Sequence, residues 1–216
     1  MNVHTRHLLI AAVLLVAALG AQAQAVVIYD TFGPGTTYDS QNGWIVGHTT
    51  DGANYASYSQ FSPTLSGFLS TAMAPIRYEG GEVAPLRFEV RSNDAGHPGD
   101  LLALTLVDIT EQGGVVSGSF LSGVLLSSQS TYWFGMATTD PTTAVVWNQN
   151  SVGVSGEHAF TGAIWQQPGE WLVQNATLGA FQVVAIAIPE PSNALLLALG
   201  LILLGLRRRA ARTSRT

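Results

Sequence analysis

Short segments in which apolar and polar residues alternate recur along most of the chain, separated by glycine, proline, asparagine and aspartate. The clearest is LRFEVRS, which begins at Leu86: its Leu, Phe and Val would face one way and its Arg and Glu side chains the other. A period of two predicts a strand with one buried and one solvated face. Between residues 26 and 187 no segment has a convincing helical period. The pattern therefore predicts an all-β body.

Ten segments are predicted as strands on these grounds, and the apolar run LLALTLVDI at 101–109 is expected at the centre of a sheet. The ten are 53–61, 67–73, 86–91, 101–109, 115–120, 131–138, 144–148, 158–165, 171–173 and 181–187. Closely spaced turn signals between them favour two packed antiparallel sheets. We expect one domain over residues 26–187, an antiparallel β-sandwich of jelly-roll type.

The first apolar segment predicts a secretory signal peptide over residues 1–25. A short polar start that carries Arg6 precedes twelve apolar residues, 8–19, too few for a stable membrane-spanning helix. Two small-x-small sites follow and would allow cleavage after Ala23 or Ala25. An uncleaved membrane anchor is the alternative interpretation.

The second apolar segment, residues 194–206, is followed at once by Arg207, Arg208 and Arg209. As a helix it would be about 20 Å long, against about 30 Å for a bilayer core. The residues before it and snorkelling arginines make the length adequate for a transmembrane helix. Because positive residues stay on the cytoplasmic side, the arginines are predicted to stop translocation and the body to face outward.

Pro189, Glu190 and Pro191 directly precede this helix, and the order of motif, helix and basic tail resembles the PEP-CTERM sorting signal of Gram-negative bacteria. The resemblance covers residues 188–216. It implies recognition by an exosortase-type membrane protease, cleavage near the motif, and transfer from the inner membrane to the cell surface or extracellular matrix. The prolines should also keep the motif extended, which suits a protease substrate. The alternative is a plain C-terminal anchor in which Pro-Glu-Pro is incidental.

The turn SNDAGHPGDLLA, residues 92–103, resembles the Asp-x-Gly-x-Pro-Gly-x-x-Leu turn of the choice-of-anchor extracellular domains, most closely the R type. The segments YDTFGPG at 29–35 and SQSTYWFGMA at 128–137 fit the same family. The resemblance implies an extracellular β domain but assigns no activity. Asp94 and Asp100 are weak calcium candidates, since calcium takes six to eight oxygens and turn geometry alone explains the glycines and proline.

Charge and cysteine content narrow the classes of partner and site. The body from 26 to 187 holds three arginines, no lysine and thirteen acidic residues, a formal net charge of −10. Such a body is a poor fit to phosphate backbones, so no nucleic-acid partner is expected. The absence of cysteine from the sequence excludes disulfides, thiolate metal sites and a cysteine nucleophile. No metal and no cofactor is predicted.

Five tryptophans offer either core packing or stacking on sugar rings. Trp133, in an apolar strand, is expected to be buried. Trp165 and Trp171 flank the turn QQPGE and are the candidate glycan contacts.

No catalytic residues are predicted. Serines and the histidines His48, His97 and His158 are present, but the sequence has no G-x-S-x-G elbow and no evident carboxylate pair. The leading expectation is an exported, non-enzymatic surface or matrix protein with a structural or adhesive role. A carbohydrate-binding module associated with exopolysaccharide is the alternative, and a hydrolase is a remote one.

Overall fold

The computed structural model describes residues 24–121, 123–164, 166–167 and 170–188. Within them Ala25–Ala187 forms a compact unit. The described residues contain thirteen strands and no helix, so the all-β prediction is confirmed. The strands are β1 (Ala25–Asp30), β2 (Tyr38–His48), β3 (Asn54–Phe61), β4 (Gly67–Gly80), β5 (Leu86–Asp94), β6 (His97–Val107), β7 (Gly114–Ser119), β8 (Leu125–Leu126), β9 (Tyr132–Thr138), β10 (Ala144–Asn150), β11 (Ser155–Thr161), β12 (Leu172–Thr177) and β13 (Gln182–Ala187).

Most of the predicted sorting elements lie outside this part of the chain. The transmembrane helix at 194–206, the motif at 189–191 and the arginines at 207–209 are not among the described residues. In the part that is described, no helix is both long enough and apolar enough to cross a membrane.

All thirteen strands belong to one curled antiparallel sheet. Its strands fall into two groups of neighbours, which we call the two ladders. In the first ladder, β13 and β10 follow each other along one edge of β4, while β8 and β7 occupy its other edge. The second ladder has the order β12, β11, β3, β9, β5, β6. A short pairing of β2 with β3 joins the two. This arrangement is consistent with a β-sandwich.

Aromatic side chains from both ladders meet in one core. Phe134 of β9 contacts Phe88 of β5 edge-on, with ring centroids 5.2 Å apart. It also stacks on Phe181 at 5.0 Å and meets Trp147 of β10 edge-on at 5.6 Å. All four rings are buried. Because each ladder supplies two of them, burial of these rings holds the ladders together.

Strand β2 was not predicted, because its sequence YDSQNGWIVGH begins with turn-forming residues. Those residues form an irregularity rather than an end: Asn148 pairs with Gly43 and Gln149 with Asp39, so three residues are left over on β2. The Asp39 carboxylate accepts hydrogen bonds from the Asn42 side chain and from the backbone N–H of Gln41 and Asn42. These bonds stabilise the bulge and lower the pKa of Asp39.

Strand β4 runs seven residues beyond its predicted end, through Pro75. Along one edge, β4 pairs with β13 as far as Met73 and then with β10 from Ile76 onward. Pro75 lies in the gap, where no partner on that edge requires its missing N–H. Proline is therefore tolerated inside a long strand at this one position.

The expectation that the apolar run at 101–109 lies at a sheet centre is wrong. Most of it belongs to β6, which ends the strand order and pairs with β5. Its Leu101, Leu104 and Leu106 are exposed, while Ala103 and Val107 face the core. Buried and exposed positions thus alternate along β6 as in other strands, but the sequence does not show it because the exposed positions are also leucine.

The β5–β6 connection is a two-residue hairpin, with Asp94 paired to His97. Ala95 and Gly96 have φ values of 49° and 87°, both positive as a type I′ turn requires. Asp94 and Asp100 are exposed near this turn, and the backbone N–H of Asp100 donates a hydrogen bond to the Ser92 hydroxyl oxygen. Among the described residues no group of three or more histidines and carboxylates could hold a metal ion.

Candidate functional site

A cleft of about 360 Å³ lies where β2 meets the face formed by β3, β11 and β12. The β2–β3 pairing covers only two residue pairs, so the rest of β3 pairs with β11 and diverges from β2. We refer to this space as the aromatic cleft. Its lining consists of Gly43, Trp44, Ile45, Tyr55, Ser57, His158, Phe160 and Gln174.

The Trp44 indole is fixed in the cleft wall by two contacts. The imidazole of His158 stacks on it, with ring centroids 3.8 Å apart and an angle of 18° between planes. Its Nε1 donates a hydrogen bond of 2.9 Å to the carbonyl oxygen of Thr177, at the end of β12. The ring is nevertheless half-buried rather than buried. A rigid aromatic surface is therefore available from the cleft.

His158 lies behind Trp44 and is 0% exposed. Its Nδ1 is 3.4 Å from the Ser59 hydroxyl oxygen, while its Nε2 has no hydrogen-bond partner among the described residues. Burial lowers the pKa of His158 to about 3, so the ring is neutral at ordinary pH. Ser59 and His158 thus form a serine–histidine contact, but Ser59 is also fully buried, and a base with so low a pKa activates a hydroxyl poorly.

A larger, open groove of about 1060 Å³ adjoins the aromatic cleft on β2, β4 and β10. The cleft and this polar groove share Gly43, Ile45 and Tyr55. Arg77 in the groove pairs with Glu79 at 2.5 Å and donates to the carbonyl oxygens of Ser40 and Gln41. The two depressions therefore meet across the exposed side chain of Ile45.

On the opposite face of the strands around β3, Glu89 of β5 is a second buried polar side chain, with more hydrogen-bond partners than His158. Glu89 is 2% exposed, although the alternation of LRFEVRS predicted a solvated side chain there. Its Oε2 accepts bonds from the Tyr58 hydroxyl at 2.7 Å and from Arg91 Nε at 2.9 Å. Arg87 Nε lies 3.5 Å from Oε1, an ion pair without hydrogen-bond geometry. The carboxylate is paired on both oxygens.

Aromatic rings cover this carboxylate and explain its burial. Tyr58, Trp133 and Ala159 form a small buried cluster, and Trp171 packs edge-on against Tyr58 with centroids 5.0 Å apart. The Arg91 guanidinium lies 5.6 Å from the Tyr58 ring centroid and 5.9 Å from that of Trp171. Burial, followed by the charge of Glu89, raises the pKa of Tyr58, which keeps its hydroxyl a donor. The second face of the ladder is therefore a minor core.

The candidate residues from the sequence are found in separate places. Trp133 is fully buried, as expected, but in the cluster around Glu89 and not among the rings around Phe134. Trp171 is half-buried in the same cluster, and Trp165 lies outside the described residues. Ala25 is the first residue of β1, whereas Ala23 is not among the described residues.

Sequence reasoning missed the contact between Trp44 and His158. These residues lie on β2 and β11 and become neighbours only through the pairing of β3 with both strands. The only local signal is a tryptophan inside the turn-like stretch QNGWIVG.

Comparison with known proteins gives no independent assignment. No protein-family model matches this chain, and no curated protein matches it significantly.

Proposed function

We propose that this protein is an exported, non-enzymatic surface or extracellular-matrix protein with an adhesive role. One observation carries the proposal: the folded unit fills the interval between the two predicted sorting segments. Strand β1 begins at Ala25, and β13 ends at Ala187, two residues before Pro189. Cleavage after Ala23 or after Ala25 leaves at least residues 26–30 of β1 in place. Both signals can therefore be removed without loss of a strand.

The ends of the unit also support delivery through a single attachment point. Strands β1 and β13 pair antiparallel, with Ala25 opposite Ile186. The first and last strands of the folded unit, which adjoin the two predicted signals, are thus neighbours. A domain of this kind keeps its remaining surface free for contacts away from its point of attachment.

An adhesive rather than catalytic role agrees with the chemistry of the buried polar groups. Both oxygens of Glu89 are occupied by donors or an ion pair. Ser59 and His158 are sealed from solvent, and His158 stays neutral down to a pH of about 3. These groups stabilise the fold and are not placed to act on a substrate.

The jelly-roll assignment is part of the proposal. It is supported by pairings between strands distant in sequence, such as β1 with β13, β5 with β9 and β2 with β10. An experimental structure in which these strands instead pair with their sequence neighbours would exclude it.

The resemblance of residues 188–216 to PEP-CTERM signals supplies the route: inner-membrane anchoring, then cleavage by an exosortase-type protease. The test compares Glu190→Ala with Ser192→Ala, a matched change just outside the motif, by fractionation and mass spectrometry in the native host. Glu190→Ala should accumulate uncleaved in the inner membrane, while Ser192→Ala should reach the surface in processed form. Normal surface delivery of Glu190→Ala would mean that the motif is only a stalk.

A further inference from the structure

We propose that the aromatic cleft and the polar groove together form one binding site for a neutral polysaccharide chain. This inference gives a ligand to the adhesive role proposed above. It does not depend on the sorting route, because binding can be measured on purified protein whether or not the protein is cleaved in its host.

The shape of the site suits an extended ligand. The cleft and the groove measure about 360 and about 1060 Å³ and share three lining residues, Gly43, Ile45 and Tyr55. Sites for single small molecules usually occupy about 300–1,000 Å³. Two adjoining depressions of this size exceed what a single small sugar needs and would suit a longer chain.

Gly43 lets β2 pack closely against β10 at the edge of the depression. A side-chain carbon added at Gly43 would lie 2.2 Å from a methyl carbon of Val146 and 2.5 Å from the carbonyl oxygen of Trp147, so a larger residue does not fit there. Ile45, next but one along β2, is 47% exposed and lies at the junction of cleft and groove. This exposed apolar side chain lies on the path that a polymer would follow.

The cleft offers preorganised aromatic surface. Trp44 is held by the stacked His158 ring and by the bond to Thr177, so little side-chain freedom remains to be lost on binding. Tyr55 and Phe160 form a second aromatic pair, with centroids 6.0 Å apart. The C–H faces of pyranose rings are apolar and pack against such rings, while their hydroxyls point sideways to polar groups.

Polar groups for those hydroxyls border both parts of the site. Gln174 is exposed on β12 at the cleft, and Asn42 and Thr142 are exposed at the groove. His158 stands behind these groups, fully buried, and supports the Trp44 ring by stacking on it.

The negative charge of the body favours a polysaccharide without acidic groups. The body between residues 26 and 187 has a formal net charge of −10, and the arginine in the groove is already paired with Glu79. Uronic-acid or sulfated polymers would be repelled by this field. The site therefore fits a neutral hexose or pentose polymer.

The test uses the full chain, purified in a detergent whose headgroup is not a sugar. Cellohexaose, mannohexaose and xylohexaose are titrated by calorimetry, with hexagalacturonic acid as the anionic comparison. At least one neutral hexaose should bind saturably and shift the indole N–H resonance of Trp44, whereas hexagalacturonic acid should not bind.

Two substitutions locate the site. Ile45→Glu should weaken that binding by about tenfold or more, as expected for a residue at the centre of an interface. Leu106→Glu, at another exposed apolar residue on the edge strand β6, should leave it unchanged. Urea unfolding of both variants checks that the fold is intact. A milder change, Gln174→Ala, should weaken binding without any effect on stability.

The proposal is wrong if none of the three neutral hexaoses binds, or if only the anionic one does. It is also wrong if Ile45→Glu binds like the wild type, or if Trp171→Ala abolishes binding while Ile45→Glu preserves it. The last result would move the site to the opposite face of β3. If no neutral hexaose binds but Glu190→Ala still accumulates uncleaved, the sorting proposal remains intact and only the binding proposal fails.

Discussion

Glu89 and His158 are buried on opposite faces of the strands around β3, and their side chains find hydrogen-bond partners to different degrees. Glu89 on one face receives the Tyr58 hydroxyl and Arg91 and has Arg87 nearby. His158 on the other face has one long contact to Ser59 and an unpartnered Nε2 among the described residues. Buried polar groups with all their hydrogen bonds formed are usually structural, whereas a buried group beside a cleft that lacks a hydrogen-bond partner calls for another explanation. The contrast separates a minor core from a candidate site.

The largest effect should come from Glu89. Glu89→Ala leaves the partly buried Arg91 guanidinium and the buried Tyr58 hydroxyl without their acceptor, so the free energy of unfolding should fall by about 3–5 kcal/mol. Urea unfolding of residues 24–188 measures it. Glu89→Gln, which keeps the shape and one acceptor oxygen, should lose less than Glu89→Ala. A loss below about 1 kcal/mol for Glu89→Ala would show that the carboxylate is not buried, and the contrast between the faces would fail.

The neighbouring residues Tyr58 and Ser59 provide a matched pair on opposite faces. Tyr58→Phe removes a hydrogen bond to a buried charge and should cost about 1.5–3 kcal/mol. Ser59→Ala removes two contacts of 3.4 Å, to His158 and to the N–H of Gly179, and should cost about 0.5–1.5 kcal/mol. The same unfolding measurement serves both. If Ser59→Ala proved the more damaging, His158 would be better satisfied than its contacts indicate.

The pH dependence of stability isolates His158. Its pKa is about 3 in the folded chain and about 6.5 when unfolded, so between these values the unfolded state binds the additional proton. Stability should therefore fall with falling pH, by about 2 kcal/mol between pH 7.5 and pH 5 from this residue. Asp39, Asp51 and Asp140 have lowered pKa values, and their stabilisation is lost in the same direction but at more acidic pH.

The control for this dependence is His158→Phe, which preserves a ring beside Trp44 but cannot titrate. It should flatten the profile between pH 7.5 and pH 5 by about the same 2 kcal/mol, whatever its stability at neutral pH. An unchanged profile would mean that His158 is accessible to protons in the folded chain and not sealed behind Trp44.

The alternation of apolar and polar residues correctly predicted burial on the inward face of β5, but it did not predict the burial of Glu89 on the outward face. Leu86, Phe88 and Val90 are buried as the period of two predicts. The other face was expected to be solvated, and Glu89 is buried because Tyr58, Trp133 and Trp171 cover it from other strands. Local pattern fixes which side chains share a face. What covers that face depends on pairings that join residues far apart in the sequence.

The same limit applies to the strand positions and to the candidate site. The apolar run of β6 gave no indication that this strand lies at an edge of the sheet. Strand β2 was not predicted because it begins with turn-forming residues, which form a bulge stabilised by Asp39. The aromatic cleft depends on strands β2, β3, β11 and β12, so no window of the sequence contains it. The connection between β5 and β6, by contrast, is local, and a turn was predicted within residues 92–103 from their own residues, although the strands extend into that stretch and leave only Ala95 and Gly96 in the turn.

The smallest effect should come from Glu79, which repeats the spacing of the Glu89 pair in an exposed setting. Arg77 and Glu79 are two residues apart on β4, as Glu89 and Arg91 are on β5, but their side chains are 43% and 44% exposed. Water screens the pair and both long side chains lose freedom when they meet, so Glu79→Gln should change the free energy of unfolding by about 0–1 kcal/mol. Urea unfolding beside Glu89→Gln makes the comparison direct, because the same chemical change is made to the same kind of pair. Equal losses in the two variants would show that burial does not distinguish them. A small loss at Glu79 and a large one at Glu89 would assign the difference to the burial of Glu89 and its additional contacts with Tyr58 and Arg87, since the sequence spacing of the Arg–Glu pair is the same.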